Sequence, residues 1–452
     1  MKRYRAFLLS SIIVCASITT TVGQQGGPGQ MPPMDPGVKT TFVHLGDHVP
    51  GLLYEPLTPG EKSKIGVFVM HYGGDYLQFP ACTELSKRGY RVLCANNSNG
   101  NMERILLDAK AGVTYLRKVP GITKVVLLGH SGGGTLMSAY QSIAENGVKA
   151  CQGPEKLVKC TDRLAGMPAA DGIMLIDSNF GNGAMAVFSL DPAVPDEQSG
   201  QPLNPALDLF NPANGFNPAG STYSDAFLRK FQSAQGKREN QLIKAAQDRL
   251  AVIEAGKGHY ADDEPFDVPG ANSGQPGNKL FPEDIRLLSH TEKPWPLLHP
   301  DGSATTEIVH SVRLPELTKS NTPSLQGGAI RATVRAYLME NAIRVTSDYG
   351  LNESTVRGID WTSTISSPPG NVESITVPLL TMGMTGHWEY IAAETIYEHA
   401  KSADKSIAFV AGGSHGYTTC KKCEKTPGEF GDTQKTTYDY VDKWLSKPGR
   451  FQ

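Results

Sequence analysis

Residues 125–134, Val-Val-Leu-Leu-Gly-His-Ser-Gly-Gly-Gly, constrain the fold more than any other part of this 452-residue chain. The opening run is apolar and unbroken, as a strand buried on both faces reads. Gly129, Ser131 and Gly133 then make the pattern Gly-x-Ser-x-Gly, and residues 135–146 follow with helical spacing. A chain that passes from strand to helix this quickly must turn sharply. Small residues beside the serine avoid clashes across the turn and leave its Oγ exposed at the strand end. Ser131 is therefore the candidate nucleophile. The helix N-terminus points free N–H groups at developing negative charge, so Gly132 is a candidate oxyanion donor. Without its flanking strand and helix, the pentapeptide would be an ordinary glycine-rich turn.

Two more loops carry chemistry. A short apolar strand ends in His71-Tyr72-Gly73-Gly74. Small residues there let backbone approach a substrate carbonyl, so Gly73 or Gly74 supplies the second oxyanion N–H. The Tyr72 hydroxyl is a further donor. The last apolar run, residues 407–411, is followed by Gly412-Gly413-Ser414-His415-Gly416. A histidine after the final strand can swing back to the serine, and with a pKa near ~6.5 it can take and return a proton. His415 is the candidate base.

Six apolar runs read as buried strands: 65–71, 90–95, 124–129, 172–177, 375–383 and 406–411. Helical stretches at 101–119, 135–146, 389–402 and 433–445 lie between or after them. Such alternation indicates a mostly parallel sheet flanked by helices, an α/β fold. The regularity breaks over 183–371, the expected cap insertion, so the catalytic domain is expected at 40–182 and 372–452. Within the insertion, 189–222 and 256–323 are loop-rich, and 225–255 reads as a helix with a solvated charged face. Residues 328–349 also read as helix. Placed late in the sheet, the insertion suits a lid. Its aromatics Trp295, Trp361, Phe188, Phe210 and Phe216 are candidates for an apolar pocket.

Hydrophobic residues make up 39% and charged residues 19%, with a net charge of −2. That balance favours neither nucleic acid nor an anionic membrane as partner. Lys2, Arg3 and Arg5 precede a short apolar run, residues 6–18, and Thr21-Val22-Gly23 supplies a cleavage site. This is the layout of a cleaved signal peptide, residues 1–23, and the apolar run is too short to span a membrane. Residues 24–39 are Gly-, Pro- and Gln-rich and read as disordered. A secreted or periplasmic location follows. Six cysteines remain after the signal, an even number in keeping with disulfides. Cys151 with Cys160, and Cys420 with Cys423, are the expected local pairs. His259, His290, His299 and His310 have no ligand spacing, and no dinucleotide fingerprint appears, so no metal or cofactor is expected.

On Gly-His-Ser-Gly-Gly, His-Tyr-Gly-Gly and the late Gly-Ser-His-Gly loop, the chain resembles the α/β-hydrolase superfamily, and more loosely its capped bacterial esterases. The resemblance covers roughly residues 40–181 and 375–445. It implies Ser131 as nucleophile, His415 as base, and Gly132 with Gly73 or Gly74 as the oxyanion hole. It also implies acyl transfer on a small-molecule ester, with amide, lactone or C–C bond cleavage, or a non-catalytic binding role, as alternatives. The third triad member departs from the family pattern. The turn after residues 375–383 has no aspartate, only Glu389 and, further on, Glu394. A family variant puts the acid after the strand that follows the nucleophile helix, where Asp177 stands. Asp177 and Glu389 remain equal candidates.

Overall fold

The protein is described here by a computed structural model covering residues 35–451 apart from 47, 200, 273–277 and 316–323. The expected signal peptide, residues 1–23, and most of 24–39 lie outside the described residues.

Among the described residues, ten strands form one sheet: β1 (Val38–Leu45), β2 (Val49–Pro56), β3 (Ile65–Met70), β4 (Arg91–Ala95), β5 (Lys124–Ser131), β6 (Gly172–Ser178), β7 (His290–Leu298), β8 (Ala304–His310), β9 (Leu379–Met384) and β10 (Lys405–Val410). Their order across the sheet is β1-β2-β4-β3-β5-β6-β9-β10-β7-β8. From β4 through β7 neighbours run parallel, while β1, β2 and β8 pair antiparallel.

The parallel strands are continuous apolar runs because both faces are covered. In β3, Phe68 and Met70 join the core on one face and Val67 and Val69 the core on the other, all at 1% exposure or less. Burying each such side chain contributes about 1.5–3 kcal/mol. The first face is covered by α2 (Met102–Lys118) and α3 (Gly132–Asn146) and the second by α1 (Pro80–Lys87). Further along, α4 (Asn182–Ser189) and α5 (Asp225–Glu254) belong to the insertion, α6 (Ala392–His399) packs on the first face, and α7 (Thr433–Leu445) packs on the second. Asn101 caps α2 by accepting from Arg104 N, and Asp432 caps α7 by accepting from Lys435 N.

The insertion departs from expectation in two places. Its residues 290–310 are not part of a separate cap but form β7 and β8, which extend the main sheet. Pro294 and Pro296 argue against a strand because they lack a ladder donor. The sheet accommodates them because β7 pairs with β10 only through Leu297 and Leu298. Residues 328–349 are not one helix. Ala329–Thr333 pairs with Pro265–Pro269, a short helical stretch follows, and Val345–Leu351 pairs with Val356–Ile359. Thr333, Val334, Ile343, Val345 and Thr346 are β-branched, and pairing partners from elsewhere in the insertion override the weak helical pattern. The long helix, α5, is where the periodicity puts it.

All six of these cysteines are paired: Cys82–Cys94 ties α1 to β4, Cys151–Cys160 closes a surface loop, and Cys420–Cys423 closes the chain just after His415.

Candidate active site

The serine turn is built as its composition requires. Ser131 ends β5 at φ 53° and ψ −128°, a left-handed conformation that non-glycine residues avoid, and α3 starts at Gly132. Two of the flanking glycines have no substitute. A Cβ on Gly129 would lie 2.6 Å from the Gly133 carbonyl oxygen, and one on Gly134 would lie 1.8 Å from Ser178 Oγ. Strained residues of this kind persist where the surroundings over-determine them.

Next door, β6 carries the candidate acid Asp177. Ser131 pairs with Ser178 across the two strands, so Asp177 emerges beside Ser131. Asp177 is fully buried and also has positive φ, at 47°. Its Oδ2 accepts from His415 Nδ1 at 2.7 Å, and its Oδ1 accepts from Met384 N at 3.0 Å. Burial alone would raise its pKa, but hydrogen bonds to His387 and His415 hold the carboxyl well below the usual carboxylate range.

Glu389 occupies a second position. Its Oε2 lies 3.6 Å from His415 Nδ1, beyond hydrogen-bond reach, and its carboxyl stands beside the Ser131 hydroxyl. Burial, reinforced by Asp177, pushes Glu389 up to about 7 against the opposing pull of His415. Of the two equal candidates, Asp177 is therefore the one hydrogen-bonded to the imidazole. Glu394 is elsewhere: it accepts from Glu292 N, Lys293 N and Trp295 Nε1, anchoring the start of β7.

His415 is held from several directions. Burial would lower its pKa, but Glu389 and Asp177 outweigh that and raise it to about 9. Its loop is pinned by Tyr417, whose hydroxyl donates to Ile176 O at 3.4 Å, and by the Cys420–Cys423 bridge. His130, the residue before the nucleophile, ties the two loops together. Tyr76 OH is 2.7 Å from its Nδ1, and its Nε2 is 2.6 Å from the His415 carbonyl. With Nε2–H donating to that carbonyl, Tyr76 donates to Nδ1, a pattern that requires the neutral ring. Burial keeps it neutral, well below the usual histidine range. Nothing in the local sequence marks His130, His387 or Tyr76 as part of this network.

The oxyanion loop narrows the expectation for Gly73. Its N–H donates to His71 Nδ1 at 3.0 Å and so is already engaged. Of the pair, Gly74, at φ 89°, is the one left as the candidate donor. The Tyr72 hydroxyl is likewise engaged, donating to Glu340. The His71 ring lies against the turn, 3.2 Å from where a Gly132 Cβ would be.

The aromatic pocket divides. Phe188 and Trp361 join a chain of rings through Phe180 and Phe281 to Trp388, which adjoins His387. Trp295 instead packs on Tyr397 at the sheet edge, and Phe210 pairs with Phe216. As for cations, one atom from each of Asp177, His387, Glu389 and His415 lies within 4.8 Å of the others.

A strand–turn–helix serine on β5, a histidine after β10, an aspartate at the end of β6, and this strand order decide the architecture. The chain has the α/β-hydrolase fold. No family model matches it, and no curated protein does. Solved structures similar to it include a hypothetical protein from Pseudomonas aeruginosa, at 12% identity over 92% of this chain and 95% of that one, TM-score 0.40. Est1E from Butyrivibrio proteoclasticus matches at 10% identity over 90% and 97%, TM-score 0.37. The siderophore hydrolase EstB from Aspergillus fumigatus matches at 10% identity over 91% and 99%, TM-score 0.39. Likeness at these scores adds nothing to what the sheet order itself states.

Proposed function

We propose that this α/β-hydrolase cleaves carboxylic esters of small molecules through a Ser131–His415–Asp177 triad and an acyl-enzyme. The observation that carries the reading is the 2.7 Å bond from His415 to a fully buried Asp177, on the strand next to a serine turn at positive φ. His415 Nε2 takes the Ser131 proton as Oγ attacks the carbonyl, and returns it to the leaving alkoxide. Asp177 keeps the proton of the neutral ring on Nδ1 and stabilises the imidazolium. Gly132 and Gly74 N–H groups bind the oxyanion. Water activated by His415 then opens the acyl-enzyme. The Tyr72–Glu340 edge of a groove of about 710 Å³, lined also by Asn101, Asn272 and Arg331, opens beside the oxyanion loop and suits a polar portion of the substrate.

A fluorophosphonate probe tests this directly. It is expected to modify the wild-type chain once, at Ser131, and to leave Ser131→Ala unmodified. Equal labelling of both, or none of the wild type, overturns the reading. Comparing p-nitrophenyl esters with anilides and lactones separates ester hydrolysis from the same triad's other reactions, and ester turnover is expected to be fastest.

The chain is exported to an oxidising compartment, secreted or periplasmic. The basic-then-apolar N-terminus and the three disulfides support this. Mass spectrometry of the mature protein is expected to find an N-terminus near Gln24. An intact Met1 would overturn export by cleavage. Among the described residues, no helix is long and apolar enough to cross a membrane.

A further inference from the structure

We propose that Asp177, His387, Glu389 and His415 form a binding site for a divalent transition-metal ion of the zinc type, and that the bound ion switches the enzyme off. Binding follows from geometry alone; inhibition rests on the serine-hydrolase reading above.

The four side chains come from the end of β6 and the loops after β9 and β10, and one ligand atom from each lies within 4.8 Å of the rest. His387 Nδ1 is 3.4 Å from Asp177 Oδ2, and His415 Nδ1 is 3.6 Å from Glu389 Oε2. An ion held tetrahedrally at about 2.0–2.1 Å by nitrogen and oxygen donors spaces them about 3.4 Å apart. Two of the six separations already match. Another, 2.7 Å between His415 Nδ1 and Asp177 Oδ2, widens once the proton between them has left, and all six lie within 4.8 Å.

A second observation points the same way. Glu389 is only 4% exposed, and its Oε2 has no hydrogen-bond partner. A buried carboxylate oxygen left without a partner is costly, and a cation among these donors removes the cost. Two imidazoles with two carboxylates suit zinc and its neighbours, whereas calcium and magnesium prefer all-oxygen sets.

The ion opposes catalysis through the ring it binds. Neutral His415 carries one proton, which Asp177 keeps on Nδ1, leaving the Nε2 lone pair for Ser131. With the ion on the Nδ1 lone pair, that proton sits on Nε2. The ring then has no lone pair left to accept a proton from Ser131.

The full-length mature chain, stripped with chelator, is titrated with Co²⁺ as a spectroscopic stand-in. One equivalent is expected to give the visible absorption of four-coordinate cobalt, and Zn²⁺ is expected to displace it. Glu389→Gln and His387→Gln are each expected to weaken binding at least about tenfold. Thermal melts followed by circular dichroism identify a variant that fails to fold, in which case the other decides. Zn²⁺ is expected to abolish p-nitrophenyl ester turnover, and chelator to restore it. No Co²⁺ uptake, or uptake unchanged in the folded variants, overturns the site, and uptake without inhibition overturns the switch. Fluorophosphonate labelling of the metal-free chain keeps the two readings apart. A labelled chain that takes up no Co²⁺ sinks the metal site alone. An unlabelled chain sinks the hydrolase reading, and the same titration still decides binding.

Discussion

Ser131→Ala is expected to lower kcat for ester hydrolysis by about 10⁶-fold, measured as p-nitrophenyl ester turnover against metal-free wild type. The size follows from what the serine alone supplies. Without Oγ no acyl-enzyme forms, and His415 has no proton to take. The oxyanion donors and the groove remain, so a residual rate of about 10³-fold over water is expected, as when a triad member is lost elsewhere. The fold should not change, because Ala at φ 53° costs about what Ser does there, and the Gly129 and Gly134 contacts are untouched. An unchanged melting temperature with lost turnover is the expected pair. A variant that keeps more than about one hundredth of the wild-type rate would show that another group attacks the substrate.

Asp177→Asn is expected to lower kcat by about 10⁴-fold, because the amide favours the wrong imidazole tautomer and removes the charge that steadies the imidazolium. Glu389→Gln is expected to cost less than about tenfold, since its oxygen stands 3.6 Å from His415 Nδ1 and makes no hydrogen bond to it. The pH dependence carries a sign. His415 must be neutral to act as base, and Glu389 and Asp177 raise its pKa to about 9. Wild-type kcat/KM should therefore rise with pH towards that value. Removing either carboxylate removes a cause of the rise, so the inflection should move to lower pH in both variants. A large loss in Glu389→Gln with a small one in Asp177→Asn would reverse the assignment of the acid.

The residues legible in advance are those whose role is local. The serine turn needs a strand, small neighbours and a helix in immediate succession, and all of these are written within residues 125–146. Each parallel strand needs an apolar run, and six of the ten strands carry one. By contrast, β1, β2, β7 and β8 lie towards the edges of the sheet: β1 and β8 are largely exposed, β2 is buried on both faces but broken by Pro50 and Gly51, and β7 tolerates prolines.

Ser131 as the turn residue, His415 as the late-loop histidine, and the α/β class were thus determined by the sequence alone, because nearest neighbours along the chain create them. Which of Asp177 and Glu389 hydrogen-bonds His415 was decided only in three dimensions. Both lie at or just after strand ends, and only the pairing of β5 with β6 puts Asp177 beside Ser131 with His415 in hydrogen-bond reach. The same is true of His130 bridging to the His415 carbonyl. Contacts between residues hundreds of positions apart depend on which strands lie side by side, and no local pattern encodes that.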